Sequence, residues 1–380
     1  MDFTLNKEQQ DIVKAARKFA KGEFPDRAQE FDREEKFDMK IHKKACDLGF
    51  VGVFISEKYG GAGYGFFEHC LINEEFWAVE PGIGFSIMSA TFGAELLELY
   101  ASEDQKNMLL PKLVSGEAVM GTAITEPDAG SDVTAASTTA VEENGEWVIN
   151  GSKMFATNGN IANYMLLFCL TDPDNPSRHN RHSFFLVPTN LPGYKPTKLK
   201  GKMGIRASDT AEVSLNNLRV PADCLVGVRG NGFKQLMAFF NRTRLHICAQ
   251  AVGLSRAALE EAINHVKGRK QFGAPLASLQ AVQFKLTEMA TRMRASRNLY
   301  YEAAWLADKG KLDHGLIAMA KWYSAQTAVF CADEALQVHG GYGYIDEYKV
   351  QRLYRDAKIL EIYEGTKEVE KSIVARSLLG

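Results

Sequence analysis

The sequence predicts a mainly α-helical protein with a small β domain in the middle of the chain. Three observations indicate this fold class. Apolar residues recur with helical spacing before residue 115, short strand-like runs replace them between about 119 and 225, and the helical period returns from residue 230. At roughly 100–200 residues per domain, a chain of 380 residues allows two or three domains.

The first region, residues 6–115, begins with an amphipathic helical pattern. Its apolar face consists of Ile12, Val13, Ala16, Phe19 and Ala20. A glycine-rich stretch, 59–65, interrupts the region without placing G-x-G-x-x-G between a strand and a helix. The stretch therefore predicts a connection between helices and not a dinucleotide-binding turn.

The middle region contains a hairpin signal and further short strands. Asn144-Gly145 separates the runs 138–141 and 147–150, and this dipeptide between two such runs is a strong hairpin signal. Turn residues separate three more predicted strands, 164–170, 183–187 and 211–218. These runs predict a small antiparallel β domain.

The last region returns to apolar stripes with helical spacing. One stripe consists of Ala258, Leu259, Ala262, Ile263 and Val266, and another of Leu286, Met289 and Met293. Such stripes are more typical of the core of a helix bundle than of a cofactor site.

Composition and charge exclude several classes of protein. The chain has 45 Lys+Arg against 47 Asp+Glu, so its net charge of −2 gives no reason to expect nucleic acid or an anionic membrane as the main partner. Its 46% hydrophobic and 24% charged residues exclude global disorder. No apolar run approaches the ~20 residues of a membrane span, and the polar N-terminus lacks a signal-peptide core. We therefore expect a cytoplasmic protein or the mature form of an organellar matrix protein.

The six cysteines predict neither disulfides nor a metal site. They are far apart in the sequence and form no Cys-x-x-Cys pair. Buried, reduced thiols are therefore the expected state, and no metal is predicted.

Three segments could carry chemistry, and each has a plainer structural reading. Small and hydroxyl residues in 123–132 would let a planar polar ligand approach the backbone, or would form a surface turn. The paired glycines in 337–344 would contact an anion such as a pyrophosphate, or would end a helix. Glu364, within 361–368, would be a buried general base with a raised pKa, or a solvated carboxylate.

Together and in this order, the three segments resemble the signatures of the acyl-CoA dehydrogenase family. Residues 123–132 satisfy every position of the family's first signature. The second signature is filled by Gln337, Gly340, Gly341, Gly343, Tyr344, Glu347, Arg352 and Asp356. The resemblance covers essentially the whole chain. It implies an N-terminal α-helical domain over 1–118, a middle antiparallel β-barrel-like domain over 119–228 and a C-terminal four-helix bundle over 229–380.

The resemblance also implies an FAD-dependent enzyme that desaturates an acyl-CoA thioester between its α and β carbons. Glu364 aligns with the catalytic base in the family's Ile-Tyr-Glu-Gly-Thr motif, which removes the pro-R α-proton while the β-hydride passes to flavin N5. Some relatives carry their glutamate on the helix that corresponds to 240–244, and that segment contains no carboxylate here.

Several positions match family contacts with FAD, which would lie between the β domain and the bundle. They are Thr125, Ser131, Phe155, Thr157, Arg269, Phe272, Gln337, Gly341, Thr366 and Glu368. Phe155 stands where many relatives have Trp and would stack on the flavin ring. Arg269, in an Arg-x-x-Phe-Gly segment, would reach the FAD pyrophosphate of a neighbouring subunit.

Other positions match family contacts with the substrate, namely Ser131, Arg244, Tyr363 and Gly365. Asn241 departs from the Asp common at its position, which bears on the contact with CoA there. Segment 82–100 would line the acyl end of the pocket and contains no Arg or Lys. An apolar acyl group is therefore expected rather than a dicarboxylic one, and straight, branched and alicyclic groups all remain open.

The family resemblance extends to partners and to two alternatives. It implies electron-transferring flavoprotein as the electron acceptor and a homotetramer built as a dimer of dimers. An acyl-CoA oxidase that uses O₂ is one alternative, and a non-catalytic scaffold that binds acyl-CoA or flavin is the other.

Overall fold

The computed structural model describes residues 4–380, and helices form the first part of the chain, as predicted. These helices are α1 (Lys7–Glu23), α2 (Pro25–Glu34), α3 (Met39–Asp47), α4 (Phe66–Val79), α5 (Pro81–Met88), α6 (Ala94–Tyr100) and α7 (Glu103–Ser115). Helix α1 begins at Asn6, whose side chain accepts a hydrogen bond from the Gln9 N–H at 2.8 Å. The glycine-rich stretch connects elements, as expected, because Gly60 and Gly63 adopt positive φ angles just before α4.

The middle of the chain forms a sheet that includes the five predicted strands. The strands are β1 (Met120–Ala123), β2 (Thr139–Glu143), β3 (Glu146–Thr157), β4 (Tyr164–Leu170), β5 (His182–Pro188), β6 (Tyr194–Lys198), β7 (Thr210–Pro221) and β8 (Leu225–Val226). The hairpin is confirmed, since Asn144 and Gly145 both have positive φ in the turn between β2 and β3. Strands β1, β6 and β8 are not predicted from the sequence.

The sheet is open, so the barrel-like detail is not confirmed, and it is mixed, because β4 is parallel to both β1 and β2 while the other pairs are antiparallel as expected. The strand order is β6-β7-β3-β2-β4-β5-β8, with β1 beside β4. Closure would require β6 to pair at its outer edge, but this short strand carries Pro196 and exposed Lys195, residues that keep an edge unpaired. Strand β1 pairs with β4 in parallel, which the long excursion through β2 and β3 permits.

The last part of the chain is helical, as predicted. It contains α8 (Gly232–Gly268), the small hairpin β9 (Lys270–Gln271) and β10 (Ala274–Pro275), and helices α9 (Gln280–Asp308), α10 (His314–His339), α11 (Lys349–Ala357) and α12 (Lys367–Leu379). Helices α8, α9 and α10 pack against one another, and α12 packs on α10. Both predicted apolar stripes lie in this core. Helix α4 packs on α8 and joins the two helical regions.

The state of the cysteines agrees with the expectation of buried, reduced thiols. All six cysteines carry free thiols, and five of them are buried, with Cys224 half-buried. Within residues 4–380, no helix is long and apolar enough to cross a bilayer. The same part of the chain has no group of three or more His, Cys, Asp or Glu side chains placed to hold a metal ion.

Candidate active site

The Ile-Tyr-Glu-Gly-Thr motif forms a tight connection that leads into α12. Glu364 has φ +55° and Gly365 has φ +99°, so two successive residues are left-handed. Thr366 then caps α12 by accepting a hydrogen bond from the Val369 N–H at 3.3 Å. A left-handed non-glycine residue costs about 1–3 kcal/mol and persists only where surrounding contacts hold it. We refer to Glu364 and Gly365 as the base loop.

Side chains from two helices hold the base loop. The hydroxyl of Thr243 in α8 donates to Oε2 of Glu364, and the adjacent Arg244 donates from Nε to the Glu364 carbonyl oxygen at 3.1 Å. Lys321 in α10 donates to the Gly365 carbonyl oxygen. Burial raises the pKa of the Glu364 carboxyl, while Thr243, Arg244 and Lys321 act in the opposite direction. The raised pKa was expected from the sequence.

Two further carboxylates lie near Glu364, and neither is predicted as functional from the sequence. Glu370 in α12 is fully buried. Glu95 in α6 is also buried, accepts the Gly93 N–H at 3.1 Å and lies 3.7 Å from Nδ1 of His246. Burial raises the pKa of Glu95 to about 7. Glu364 is only half-buried, so it is the one member of this trio that a ligand can reach.

The predicted substrate residues lie at different depths around the base loop. The Tyr363 hydroxyl donates to Oε1 of Gln250 at 2.6 Å, and its ring lies 6.0 Å from that of Phe85. Phe85 belongs to the segment expected to line the acyl end, so this segment does reach the base loop. Arg244 is buried behind the loop, and its predicted substrate contact stays a prediction. Asn241 is likewise buried in α8.

A second group of predicted residues lies on the β domain. The Met154 N–H donates to the Thr125 carbonyl oxygen at 2.8 Å, which joins the first signature to the segment that contains Phe155 and Thr157. A β-bulge interrupts β3 between Lys153 and Ala156, and within it Phe155 has φ +58° and is 66% exposed. The bulge turns an aromatic face outward that a regular strand would not present. Ser131 lies on the same loop as Thr125 and is exposed.

A buried ion pair supports this surface and is not predicted from the sequence. Glu126 accepts from Nζ of Lys153 at 2.7 Å, from the Ser137 N–H and hydroxyl at 2.7 and 2.9 Å, and from the Thr138 N–H at 2.9 Å. Lys153 also donates to the carbonyl oxygens of Ile124 and Phe168. Although burial raises the pKa of Glu126, the Lys153 ammonium and these hydrogen bonds outweigh it and lower the pKa to about 2.

A third group of predicted residues surrounds a cavity of about 490 Å³ near the C-terminal ends of α8 and α10. Arg269, Gln337 and Gly341 all line it. Gly340 ends α10 with φ +59°, so the glycine pair serves both as a helix stop and as cavity wall. Phe272, at the tip of the β9–β10 hairpin, is 93% exposed.

These surfaces fit a flavin dinucleotide in chemical terms. Phe155 offers an exposed aromatic face for a ring system, and Arg269 offers a guanidinium fork for a diphosphate. A Cβ at Gly340 or Gly341 would meet no atom within 4 Å, so the cavity is open beside that backbone. Thr366 and Glu368 lie at the start of α12, beside the base loop.

Three family models match successive parts of the chain. Residues 6–117 match the acyl-CoA dehydrogenase N-terminal domain, residues 121–218 match the acyl-CoA dehydrogenase middle domain, and residues 230–379 match the acyl-CoA dehydrogenase C-terminal domain.

Named relatives and solved structures agree with these matches. The chain is 39% identical over 377 residues to an acyl-CoA dehydrogenase of Bacillus subtilis, with 99% of each chain covered. It superposes with a TM-score of 0.96 on butyryl-CoA dehydrogenase from Megasphaera elsdenii, at 35% identity and with 100% of both chains covered. A chain in a structure described as electron transferring flavoprotein of Acidaminococcus fermentans gives the same TM-score at 36% identity, again with full coverage of both chains.

Proposed function

The chain belongs to the acyl-CoA dehydrogenase family and is an FAD-dependent oxidoreductase, and we propose that it desaturates an apolar short or medium, branched or alicyclic acyl-CoA between the α and β carbons. Glu364 is the base in this proposal, and Tyr363, Gly365 and Ser131 contact the substrate. The oxidase and scaffold alternatives are not favoured, because the matched relatives include dehydrogenases over the full chain.

The observation that carries the proposal is the setting of Glu364. It is the accessible member of the three carboxylates around the base loop, and burial raises its pKa. An α-proton of a thioester is weakly acidic, so a carboxylate with a raised pKa is a better base than an ordinary one. The hydroxyl of Thr243 fixes one carboxylate oxygen and leaves the other free to accept the proton.

The base loop also offers a donor for the negative charge that develops on the thioester oxygen. The Glu364 N–H donates to no other group within residues 4–380. A preorganised donor of this kind is worth about 3–4 kcal/mol in other enzymes. Arg244 and Lys321 hold the carbonyl oxygens of Glu364 and Gly365, which fixes the two peptide groups that directly follow this N–H.

The cofactor positions fall into two sets that together suit FAD. Thr125, Ser131, Phe155 and Thr157 on the β domain would hold the ring end, and Thr366 and Glu368 would contribute from the start of α12. Arg269, Phe272, Gln337 and Gly341 would hold the dinucleotide end of a neighbouring subunit's cofactor. When bound, FAD supplies the acceptor for the hydride that leaves the β-carbon.

The acyl group is proposed to be apolar. The segment expected to line its end contributes Phe85 beside the base loop and no Arg or Lys. It also contributes buried Glu95, so a substrate that ends in a carboxylate would meet an acidic side chain there and no cation to pair with. The relatives named short-chain specific acyl-CoA dehydrogenase and butyryl-CoA dehydrogenase support a short acyl group.

Electron-transferring flavoprotein is the proposed acceptor, supported by the similarity to a chain in the Acidaminococcus fermentans structure. A homotetramer is proposed as well, because Phe272 and the Arg269 cavity form an exposed face that would serve a second subunit. Light scattering would show a mass near four chains, and reoxidation of the reduced enzyme by the flavoprotein should outpace reoxidation by O₂.

The decisive experiment is anaerobic bleaching of the flavin absorbance by acyl-CoA thioesters. The panel contains butyryl-, octanoyl-, isobutyryl-, cyclohexanecarbonyl- and glutaryl-CoA, and the wild type should be bleached by at least one of the first four. Glu364→Gln should bind FAD normally and lose at least 100-fold in bleaching rate, as expected when a general base is removed. A colourless wild type, or normal bleaching in Glu364→Gln, would contradict the proposal.

A further inference from the structure

A cluster of buried charges lies directly behind the base loop. It consists of Arg244 in α8, Lys321 in α10 and Glu370 in α12, and we call it the rear cluster. Lys321 and Glu370 have no exposed surface, and Arg244 is 6% exposed. Buried charges are costly unless they are paired, so three of them in a packed helical region must be stabilised by specific contacts.

The two cations of the rear cluster are directed at the backbone of the base loop. Arg244 donates to the Glu364 carbonyl oxygen, and Lys321 donates to the next carbonyl oxygen, that of Gly365. Two consecutive peptide groups are therefore fixed by side chains from two different helices. The Glu364 carboxylate itself makes its hydrogen bond to Thr243, not to either cation.

The third member, Glu370, is unusual because its charge is paired while its oxygens are not satisfied. Nε of Arg244 lies 3.0 Å from Oε1 of Glu370. Even so, neither carboxylate oxygen of Glu370 accepts a hydrogen bond from any group in the described chain. A Cβ at Gly365 would lie 2.2 Å from Oε1, so the base loop passes directly over this carboxylate.

Resting on the proposed role of Glu364 as the base, we propose that Glu370 is a positioning residue that pairs with Arg244 behind the base loop and competes with the Glu364 carboxylate for the positive charge of Arg244 and Lys321. It does not touch the substrate. It acts through the two cations, so its removal changes how strongly they stabilise the ionised form of Glu364.

The charged groups that face Glu364 come from several elements. They are Arg244 from α8, Lys321 from α10, Glu370 from α12 and Glu95 from α6. Burial raises the pKa of Glu370 to about 7 and lowers that of Lys321 to about 8, so both groups titrate near neutral pH and respond to one another. Removing Glu370 leaves more positive charge to interact with Glu364 and lowers the pKa of Glu364. Removing Lys321 leaves less positive charge near Glu364 and raises the pKa of Glu364.

The first test measures the rate of flavin reduction against pH in a stopped-flow instrument. The substrate is the panel member that bleaches the wild type fastest. The acid limb should move to lower pH by about one unit in Glu370→Gln and to higher pH by about one unit in Lys321→Met. Glu334→Gln and Lys371→Met are matched controls from α10 and α12, and their limbs should coincide with that of the wild type.

The second test does not depend on turnover and uses the holoenzyme in urea. Glu364→Gln, Glu370→Gln and the double variant are compared at pH 7.5, where the two carboxylates should be coupled so that the single changes are not additive. Additive changes in the free energy of unfolding would overturn the inference. So would acid limbs of the rate profile that stay at the wild-type pH, or that move in the same direction, in Glu370→Gln and Lys321→Met. Loss of bleaching in the wild type would instead contradict the proposed function, and the urea measurement would still decide this inference.

Discussion

Two buried groups of opposite charges lie behind the two proposed functional segments, and they differ in how completely their hydrogen bonds are satisfied. In the β domain, the Glu126–Lys153 pair lies behind the surface that carries Thr125 and Phe155. In the bundle, the rear cluster of Arg244, Lys321 and Glu370 lies behind Glu364. Both groups are buried, and both anchor backbone carbonyl groups.

The difference is visible in the hydrogen bonds and in the pKa values. Both oxygens of Glu126 accept hydrogen bonds, and its pKa is lowered to about 2. Glu370 accepts none within the described residues, and burial raises its pKa to about 7. The Glu126–Lys153 pair, whose hydrogen bonds are satisfied (the saturated pair), therefore keeps one charge state and maintains structure. Glu370, whose oxygens accept no hydrogen bond, can change charge near neutral pH and influence chemistry.

The largest expected effect is on the stability of the protein when the fully hydrogen-bonded Glu126–Lys153 pair is broken. Lys153→Met should lower the free energy of unfolding by about 3–5 kcal/mol, because it leaves the Glu126 carboxylate buried without its cation. Urea denaturation of the holoenzyme measures this loss. The double variant Glu126→Gln/Lys153→Met should recover part of it, and Glu370→Gln should cost less than Lys153→Met because no hydrogen bond of Glu370 is lost. Equal losses in Lys153→Met and Glu370→Gln would remove the distinction between the two groups.

The two groups should also give opposite pH dependences of stability. The lowered pKa of Glu126 means that its stabilising contribution is present above its ordinary pKa of 4.5 and is lost as the pH falls towards 2, by about 3 kcal/mol. The raised pKa of Glu370 means that its contribution is largest below pH 4.5 and declines as the pH rises towards 7. When the free energy of unfolding is measured from pH 2 to pH 7, Glu126→Gln should lack the loss of stability at low pH. Glu370→Gln should lack part of the decline in stability between pH 4.5 and pH 7. The reverse assignment would contradict the two pKa directions.

A smaller effect is expected at the side chain in front of the rear cluster. Thr243→Val removes the hydrogen bond to the Glu364 carboxylate, which is worth about 1.5–3 kcal/mol for a charged acceptor. The pKa of Glu364 should rise, so the acid limb of flavin reduction should move to higher pH by about one to two units. Thr243→Ser keeps the hydroxyl and is the control. An unchanged limb in Thr243→Val would show that the hydroxyl does not stabilise the ionised base.

The smallest effect is expected for Phe155, which lies on the surface in front of the Glu126–Lys153 pair, and concerns the retention of FAD. Phe155→Ala should weaken retention of FAD by about 2- to 10-fold, which corresponds to the loss of one aromatic stacking contact. Flavin release on dilution, followed by fluorescence, measures this change. Phe155→Trp should retain FAD at least as well as the wild type. Equal retention in the alanine variant would argue against stacking.

Local patterns predicted most of the secondary structure and the candidate base. The spacing of apolar residues predicted the helical regions and the core of α8 and α9, and Asn144-Gly145 predicted the β2–β3 hairpin. Strands β1 and β6 escaped prediction because they are only four and five residues long and lack clear alternation. The barrel-like detail was not confirmed and the two parallel pairs at β4 were not predicted, because closure and strand direction depend on which edges meet, and no local pattern records that.

The candidate site divides in the same way. The chemistry of short runs singled out Glu364 and the glycine pair, whereas Phe155 and Arg269 were indicated only by the family resemblance. The bulge at Phe155, the burial of Arg244 behind the base loop and the Glu126–Lys153 pair emerged only in the folded chain.

The sequence by itself determined the family, the order of helical and β regions and the identity of the candidate base, since all three are recorded in contiguous residues. Only the tertiary structure decided which charges surround that base. Arg244, Lys321 and Glu370 come from three helices, and 126 residues separate Arg244 from Glu370 along the chain. Coulomb interactions depend on distance and burial in space, and packing alone brings these groups within range of Glu364.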